Sequence, residues 1–144
     1  SSESRGLGDV YKRQTNSWST KHIKGDESGA HNHANAMISG VLYLQTDDDS
    51  GAILFHKDKS NFNLFTPTID VPFNNEKLNV FNTDGWAIKP KNNMLILFPS
   101  TLYHSVYPNE SDIERYVVAF NLFAFGKFGY DNVVQLGIEN KTVA

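Results

Sequence analysis

Short apolar runs separated by turn-forming residues make up the chain from Asn16 onward. No stretch of eleven residues shows a convincing helical period of 3.6 residues, so the runs are interpreted as strands. In the last run, Arg115, Val117 and Ala119 alternate with residues that are predicted to point the opposite way. The pattern predicts strands at Trp18–Ile23, Ala36–Gln45, Ala52–Phe55, Leu78–Phe81, Trp86–Ile88, Met94–Phe98, Ser105–Tyr107 and Arg115–Phe123.

Turn signals lie between these strands, for example at Asp47 to Gly51, at Thr83-Asp84-Gly85 and at Pro108 to Asp112. Many short strands at a spacing of about ten residues favour a sandwich or jelly-roll barrel over a parallel sheet. The stretch Lys57–Lys77, rich in Asn, Phe and Pro, is predicted to be a long extended loop. We therefore predict an all-β fold.

The first fourteen residues, SSESRGLGDVYKRQ, lack this periodicity and contribute few candidate core side chains. We interpret residues 1–14 as a non-native or disordered leader and residues 15–144 as one folded domain.

Composition narrows the possible functions. The formal net charge of the 144 residues is −3 and no basic block is present, which argues against nucleic-acid binding. No apolar run approaches the roughly 18 residues of a membrane helix. The chain has no cysteine, so a metal would have to be held by His, Asp, Glu or backbone oxygen.

Two histidines, His31 and His33, stand one residue apart before an apolar strand. In an extended segment both project to the same side and could reach one ion. His104, next to a short strand, is the best candidate for a third ligand. An isolated pair of this kind is more often solvated than metal-bound, and single histidines such as His22 and His56 illustrate that ordinary case, so we assign those two no role.

Arg115 strengthens the case for a site. It begins a strand eleven residues after His104, and a hairpin between them would place both side chains in one pocket. The guanidinium offers a planar bidentate fork for a carboxylate, and its burial would be costly without an anion. The alternative is a surface ion pair with Glu114 or Asp112.

Several motifs in one order resemble the iron(II)- and 2-oxoglutarate-dependent oxygenases, in particular a subgroup of bacterial and phage proteins. These motifs are "HNHANAMISGVLYLQ", then "GAILF", then "IKPKNNMLILFPSTLYHSVYPNESDIERYVVAFNLF", and the resemblance covers about Asn16 to Phe123. It implies a double-stranded β-helix (jelly roll) that lacks its native N-terminal helices, and a cytoplasmic location in a bacterial or phage-infected host. It also implies Fe(II), 2-oxoglutarate and O2 as cofactor and cosubstrates.

Carried over to this sequence, the resemblance makes His31, His33 and His104 the catalytic metal ligands. The usual triad has two histidines and one carboxylate, whereas a histidine stands at the second position here. Three imidazoles, two side chains plus water, or His33 with Asn35 all remain open. An oxygen from Asp26 or Glu27 is a further possibility.

The resemblance also implies a cosubstrate site. Arg115 would bind the C5 carboxylate of 2-oxoglutarate, and the Tyr43 hydroxyl would donate to the same carboxylate. Asn121 and Ser39 would support the ligands or line the cosubstrate pocket. Val117 stands where the family often has a serine two residues after the arginine, which removes one hydrogen bond.

The predicted reaction is hydroxylation, or another oxidation, of a C–H bond, with release of succinate and CO2. An organic molecule or a protein could be the substrate, and the sequence does not specify it. One alternative is a cupin-type metal protein that does not use 2-oxoglutarate, because "GDESGAHNH" fits the opening of the cupin pattern. Another is a metal-free binding module in which Trp86, Phe62 and Phe65 form an apolar face.

Overall fold

A computed structural model describes residues 11–57, 77–79, 83–129, 132 and 134–139 of the chain. Within these ranges the regular structure is entirely strand, and no helix that could cross a membrane occurs there. The nine strands are β1 Tyr11–His22, β2 Ser28–His31, β3 Ile38–Gln45, β4 Ile53–His56, β5 Gly85–Ile88, β6 Leu95–Pro99, β7 His104–Val106, β8 Arg115–Phe128 and β9 Leu136–Ile138.

The strands form two antiparallel sheets. The larger has the order β1-β8-β3-β6, and β9 adds to the end of β8. The smaller has the order β2-β7-β4-β5. Apart from β8 and β9, neighbouring strands are distant in the sequence, and the fold is the double-stranded β-helix, or jelly roll, that the family resemblance implied.

The most buried apolar side chains lie between the two sheets. Tyr43 and Val117 come from the larger sheet, Ile53 comes from the smaller sheet, and all three are less than 9% exposed. Each also lines a cavity that opens between the sheets. The core and the candidate site therefore share the same walls.

Several strand boundaries differ from the prediction. β1 begins at Tyr11, within the expected leader, because its backbone pairs with the far end of β8. β2 and β9 were not predicted, since each has only three or four residues and includes a glycine. Leu78 and Asn79 are not in a strand, while the rest of predicted strand Leu78–Phe81 and most of the predicted loop Lys57–Lys77 lie outside the described residues.

The predicted hairpin between His104 and Arg115 is wrong. His104 begins β7 in the smaller sheet, whereas Arg115 begins β8 in the larger sheet, and the segment between them crosses from one sheet to the other. Both side chains nevertheless line the same cavity, because they approach it from opposite walls.

Candidate metal centre and its cavity

The three candidate ligand histidines converge. His31 on β2 lies directly opposite His104 on β7 in the strand register. His33 follows the end of β2, where its backbone N–H donates to the Ser100 carbonyl at 2.9 Å. One ring nitrogen from each histidine lies within 4.8 Å of the other two, which is close enough for a single metal ion.

Hydrogen bonds to main-chain carbonyls place the Nδ1 proton in His31 and His104. His31 Nδ1 lies 2.7 Å from the Gly29 carbonyl oxygen, and His104 Nδ1 lies 2.9 Å from the Leu102 carbonyl oxygen. A carbonyl oxygen can only accept, so each Nδ1 must carry the proton and donate it. The Nε2 lone pair of each ring is then left for a metal.

His33 is held by a polar network at the centre of the larger sheet. Its Nδ1 lies 2.7 Å from Asn121 Oδ1 and 3.0 Å from Ser39 Oγ. Ser39 donates to Asn121 Oδ1 at 2.7 Å, and Ser100 Oγ lies 2.8 Å from Ser39 Oγ. Ser39 and Asn121 face each other in the register of β3 and β8, and Ser39, Ser100 and Asn121 are buried. The three donor nitrogens thus fit an ion that prefers imidazole.

We expect Asn121→Ala to lower metal affinity by about 10- to 100-fold, because His33 would lose the acceptor that orients its ring. Competition with a chelating dye would measure the change. Asn121→Asp, which keeps an acceptor, serves as the matched control and should retain most of the affinity. Equal affinity in the alanine variant and the wild type would contradict this role.

Asp26 and Glu27, considered as oxygen ligands, are not part of the histidine cluster. Among the described residues they belong to no group of metal-binding side chains, and Asp26 Oδ2 accepts from the Ile23 N–H at 3.0 Å. Asn35 is exposed and has a φ of 55°.

Aromatic rings shield the buried side of the centre. The ring centroid of His104 lies 4.7 Å from that of Phe98 and 6.2 Å from that of Phe55. Burial lowers the pKa of His104, although its bond to Leu102 opposes the shift. The ring is therefore kept neutral, as a metal ligand must be.

Arg115 lies on the opposite wall and is only 1% exposed. Its Nη1 donates to the Ser50 carbonyl and to the Gly51 carbonyl, the latter at 3.3 Å, and its Nη2 donates to His22 Nδ1. Gly51 has a φ of 78°, and a Cβ there would overlap the Tyr107 carbonyl oxygen and crowd Nη1. The guanidinium is thus held by main-chain carbonyls at a turn that requires glycine.

The surface ion pair considered for Arg115 is wrong. Glu114 pairs with Lys21 at 3.1 Å, and Asp112 pairs with Lys24 at 2.7 Å. Among the described residues no carboxylate forms an ion pair with Arg115. A buried guanidinium without a carboxylate partner is the arrangement expected of an anion site.

Tyr43 shares the cavity with Arg115 and is 2% exposed. Burial raises its pKa to about 12, although the Arg115 charge opposes the shift. The hydroxyl therefore keeps its proton at neutral pH and can donate a hydrogen bond to an anion.

Strand β1 contributes three side chains to the cavity that were not predicted as site residues. Trp18, Thr20 and His22 alternate along this strand, and all three line the cavity. The Trp18 and His33 ring centroids are 5.8 Å apart. The alternation of Trp18, Thr20 and His22 with a period of two indicates that the three side chains share one face of a strand. It does not show which sheet the strand joins.

The structure gives little support to the alternative of a metal-free binding module. Trp86 lies on β5, is 45% exposed and does not line the cavity. Phe62 and Phe65 lie outside the described residues.

We expect the metal-free protein to lose stability as the pH falls below 6.5, in part because of His22. Burial first, and the Arg115 charge second, lower the pKa of His22 from its ordinary value of 6.5, while Asp26 opposes them. Unfolded His22 therefore takes up its proton at a higher pH than folded His22, and acidification through this window favours unfolding. Well above 6.5 both states are neutral at this residue, and its contribution is constant.

Denaturant unfolding between about pH 5 and pH 8, with a chelator present, would measure this effect. His22→Asn has no titratable group at this position, so its free energy of unfolding should depend less steeply on pH. Identical pH dependence in the variant and the wild type would count against the assignment.

Known proteins resemble the chain in sequence and in fold. A family model described as "Putative 2OG-Fe(II) oxygenase", where 2OG is 2-oxoglutarate, matches residues 16–121. An oxidoreductase of the 2OG-Fe(II) oxygenase family from Burkholderia pseudomallei has a similar structure, with a TM-score of 0.59 and 14% identity. The match covers 79% of this chain and 46% of that one, so the chain spans about half the length of that protein.

Two other solved structures have lower similarity. A prolyl-4-hydroxylase from Pseudomonas putida gives a TM-score of 0.48 at 16% identity, covering 73% of this chain and 50% of that chain. A cupin domain from Bordetella pertussis gives 0.44 at 14% identity, covering 79% and 93%. No curated protein matches the sequence.

Proposed function

The chain belongs to the 2OG-Fe(II) oxygenase family, and from this premise we propose that it is an iron(II)- and 2-oxoglutarate-dependent dioxygenase that oxidises a C–H bond of an organic substrate. The observation that carries the proposal is a single cavity lined by two complementary groups. These are three imidazoles with available Nε2 atoms and a buried guanidinium that forms no ion pair with a carboxylate of the described residues.

His31, His33 and His104 would hold the Fe(II). When bound, the iron would couple the oxidative decarboxylation of 2-oxoglutarate by O2, which gives succinate and CO2, to oxidation of the substrate. The protein orients the three rings, since their Nδ1 atoms donate to Gly29, Asn121 and Leu102 and each Nε2 is left for the metal. Three neutral ligands leave the metal charge uncompensated by the protein, which favours an anionic cosubstrate.

The opposite wall would bind the distal carboxylate of 2-oxoglutarate. Hydrogen bonds within the described chain use three of the five guanidinium donors of Arg115, which leaves one on Nη2 and one on Nε. The Tyr43 hydroxyl is a third donor in the same cavity. Val41, Val117 and Ala119 provide apolar walls that keep water away from these bonds.

The substrate would approach on the side where the site is open. His31 is exposed, and Trp18 is 40% exposed while still lining the cavity. A flat aromatic side chain beside the metal ligands is suited to contact a substrate group.

Anaerobic titration tests the proposal. Addition of 2-oxoglutarate to the Fe(II)-loaded protein should produce a visible charge-transfer band, and later exposure to O2 should yield succinate. The matched control is 2-oxopentanoate, in which a methyl group replaces the distal carboxylate and which should bind far more weakly. A protein that binds Fe(II) but gives neither the band nor succinate would refute the proposal.

A further inference from the structure

His22 contacts Arg115 directly. The two residues are partners in the register of β1 and β8, and both line the cavity. Arg115 Nη2 donates to His22 Nδ1. The His22 carbonyl oxygen in turn accepts from Asn109 Nδ2 at 3.1 Å, and Asn109 is fully buried. The main chain that carries the imidazole is therefore held in place by a hydrogen bond from a buried side chain.

The chemistry of this contact specifies the state of His22. A guanidinium has only donors, so His22 Nδ1 must accept, and the ring is neutral with its proton on Nε2. The two carbonyls of the turn hold Nη1, and His22 holds Nη2. With both ends of the planar group fixed, the remaining Nη2 and Nε donors have a fixed direction.

We propose that His22 is a positioning residue for the distal carboxylate of 2-oxoglutarate and acts through Arg115. Its neutral imidazole holds the guanidinium in the orientation in which the two remaining donors meet the carboxylate. The inference rests on the proposed function. Val117, two residues after Arg115, is apolar and gives the carboxylate no hydrogen bond, so the side-chain support comes from β1 instead.

Three substitutions of His22 separate the alternatives. His22→Leu keeps the approximate volume and removes both nitrogens. His22→Asn places an oxygen near the position of Nδ1 and can still accept from Arg115. His22→Gln places its polar group near the position of Nε2 and is suited to a direct contact with the ligand. His56→Leu is the control, because His56 bonds to Ser105 at 2.9 Å and does not line the cavity.

Calorimetric titration of 2-oxoglutarate into each Mn(II)-loaded variant, without O2, is the measurement. We expect His22→Leu to weaken 2-oxoglutarate by about tenfold or more, since a hydrogen bond to a charged group is lost and Arg115 can rotate. His22→Asn should restore most of the affinity, and His56→Leu should match the wild type. Affinity for 2-oxopentanoate should stay within about twofold in all variants, whereas general damage to the fold would lower both affinities.

Other results would overturn the inference. Wild-type affinity in His22→Leu would show that the contact is not used. Restoration by His22→Gln and not by His22→Asn would show that His22 contacts the ligand directly instead of positioning Arg115. If the wild-type protein binds Mn(II) but not 2-oxoglutarate, the proposed function itself fails, and that result is distinct from a failure confined to the His22 variants. If His22→Leu does not fold, the comparison of His22→Asn with His22→Gln still distinguishes positioning of Arg115 from direct contact with the ligand.

Discussion

Replacement of His104 by alanine should lower the affinity for Fe(II) by at least about 100-fold. Loss of an outer hydrogen-bond partner of a metal ligand already costs about 10- to 100-fold, and His104 is itself a proposed ligand. It is also the most buried of the three histidines, at 4% exposure, and its Nδ1–H is committed to the Leu102 carbonyl. The two remaining rings would have to hold the ion with water in place of the third.

Competition with a chromophoric chelator under anaerobic conditions would measure the affinity. His104 also packs against Phe98, so the alanine variant leaves a small cavity, and His104→Gln separates that packing loss from the loss of the ligand. His56→Ala is the matched control, because it removes an imidazole that is not among the clustered rings. Equal metal affinity in His104→Gln, His56→Ala and the wild type would contradict the three-imidazole centre.

The fold class was predictable because the signals for it are local. Alternation, as in Arg115, Val117 and Ala119, shows which side chains share a face, and turn residues set the strand spacing. The same rules missed β2, where Ser28–His31 has no apolar alternation and is strand only because β7 pairs with it. Pairing between distant segments is not encoded in a local pattern.

The candidate site was partly predictable for the same reason. His31 and His33 are close in the sequence, and the positions of His104 and Arg115 beside strands made them candidates. The family resemblance, now confirmed by the family match, implied a role for each. The contact of His22 with Arg115 joins residues 93 positions apart and depends on the register of β1 with β8. A local sequence pattern does not encode that register.

The alternative of a surface ion pair between Arg115 and Glu114 fails for a simple geometric reason. Glu114 is its neighbour in the sequence, but successive side chains in an extended chain point to opposite faces. Glu114 therefore reaches Lys21 on the outer surface, while Arg115 points inward to the cavity. Proximity in the sequence made Glu114 a candidate partner, but the alternation of side chains along the strand places its carboxylate on the opposite face.

Arg115→Met should weaken 2-oxoglutarate by about 100-fold or more and leave the metal affinity within about threefold of the wild type. Each hydrogen bond from a charged donor contributes about 1.5–3 kcal/mol, and each 1.4 kcal/mol is about tenfold in affinity, so loss of two bonds gives this magnitude. Methionine keeps an unbranched side chain of moderate length and limits the cavity left in the core. The hydrogen bonds that hold the metal ligands go to Gly29, Asn121 and Leu102 and do not involve Arg115.

The measurement is calorimetric titration of the metal, and then of 2-oxoglutarate into the Mn(II)-loaded protein, for the wild type, Arg115→Met and Arg115→Lys. Lysine keeps the charge but not the planar fork, and it cannot serve the Ser50 and Gly51 carbonyls and a carboxylate in the same geometry. We therefore expect Arg115→Lys to bind 2-oxoglutarate with an affinity between those of the wild type and Arg115→Met. If all three proteins bind it equally, the guanidinium does not recognise the carboxylate, and a cupin-type metal protein becomes the better description.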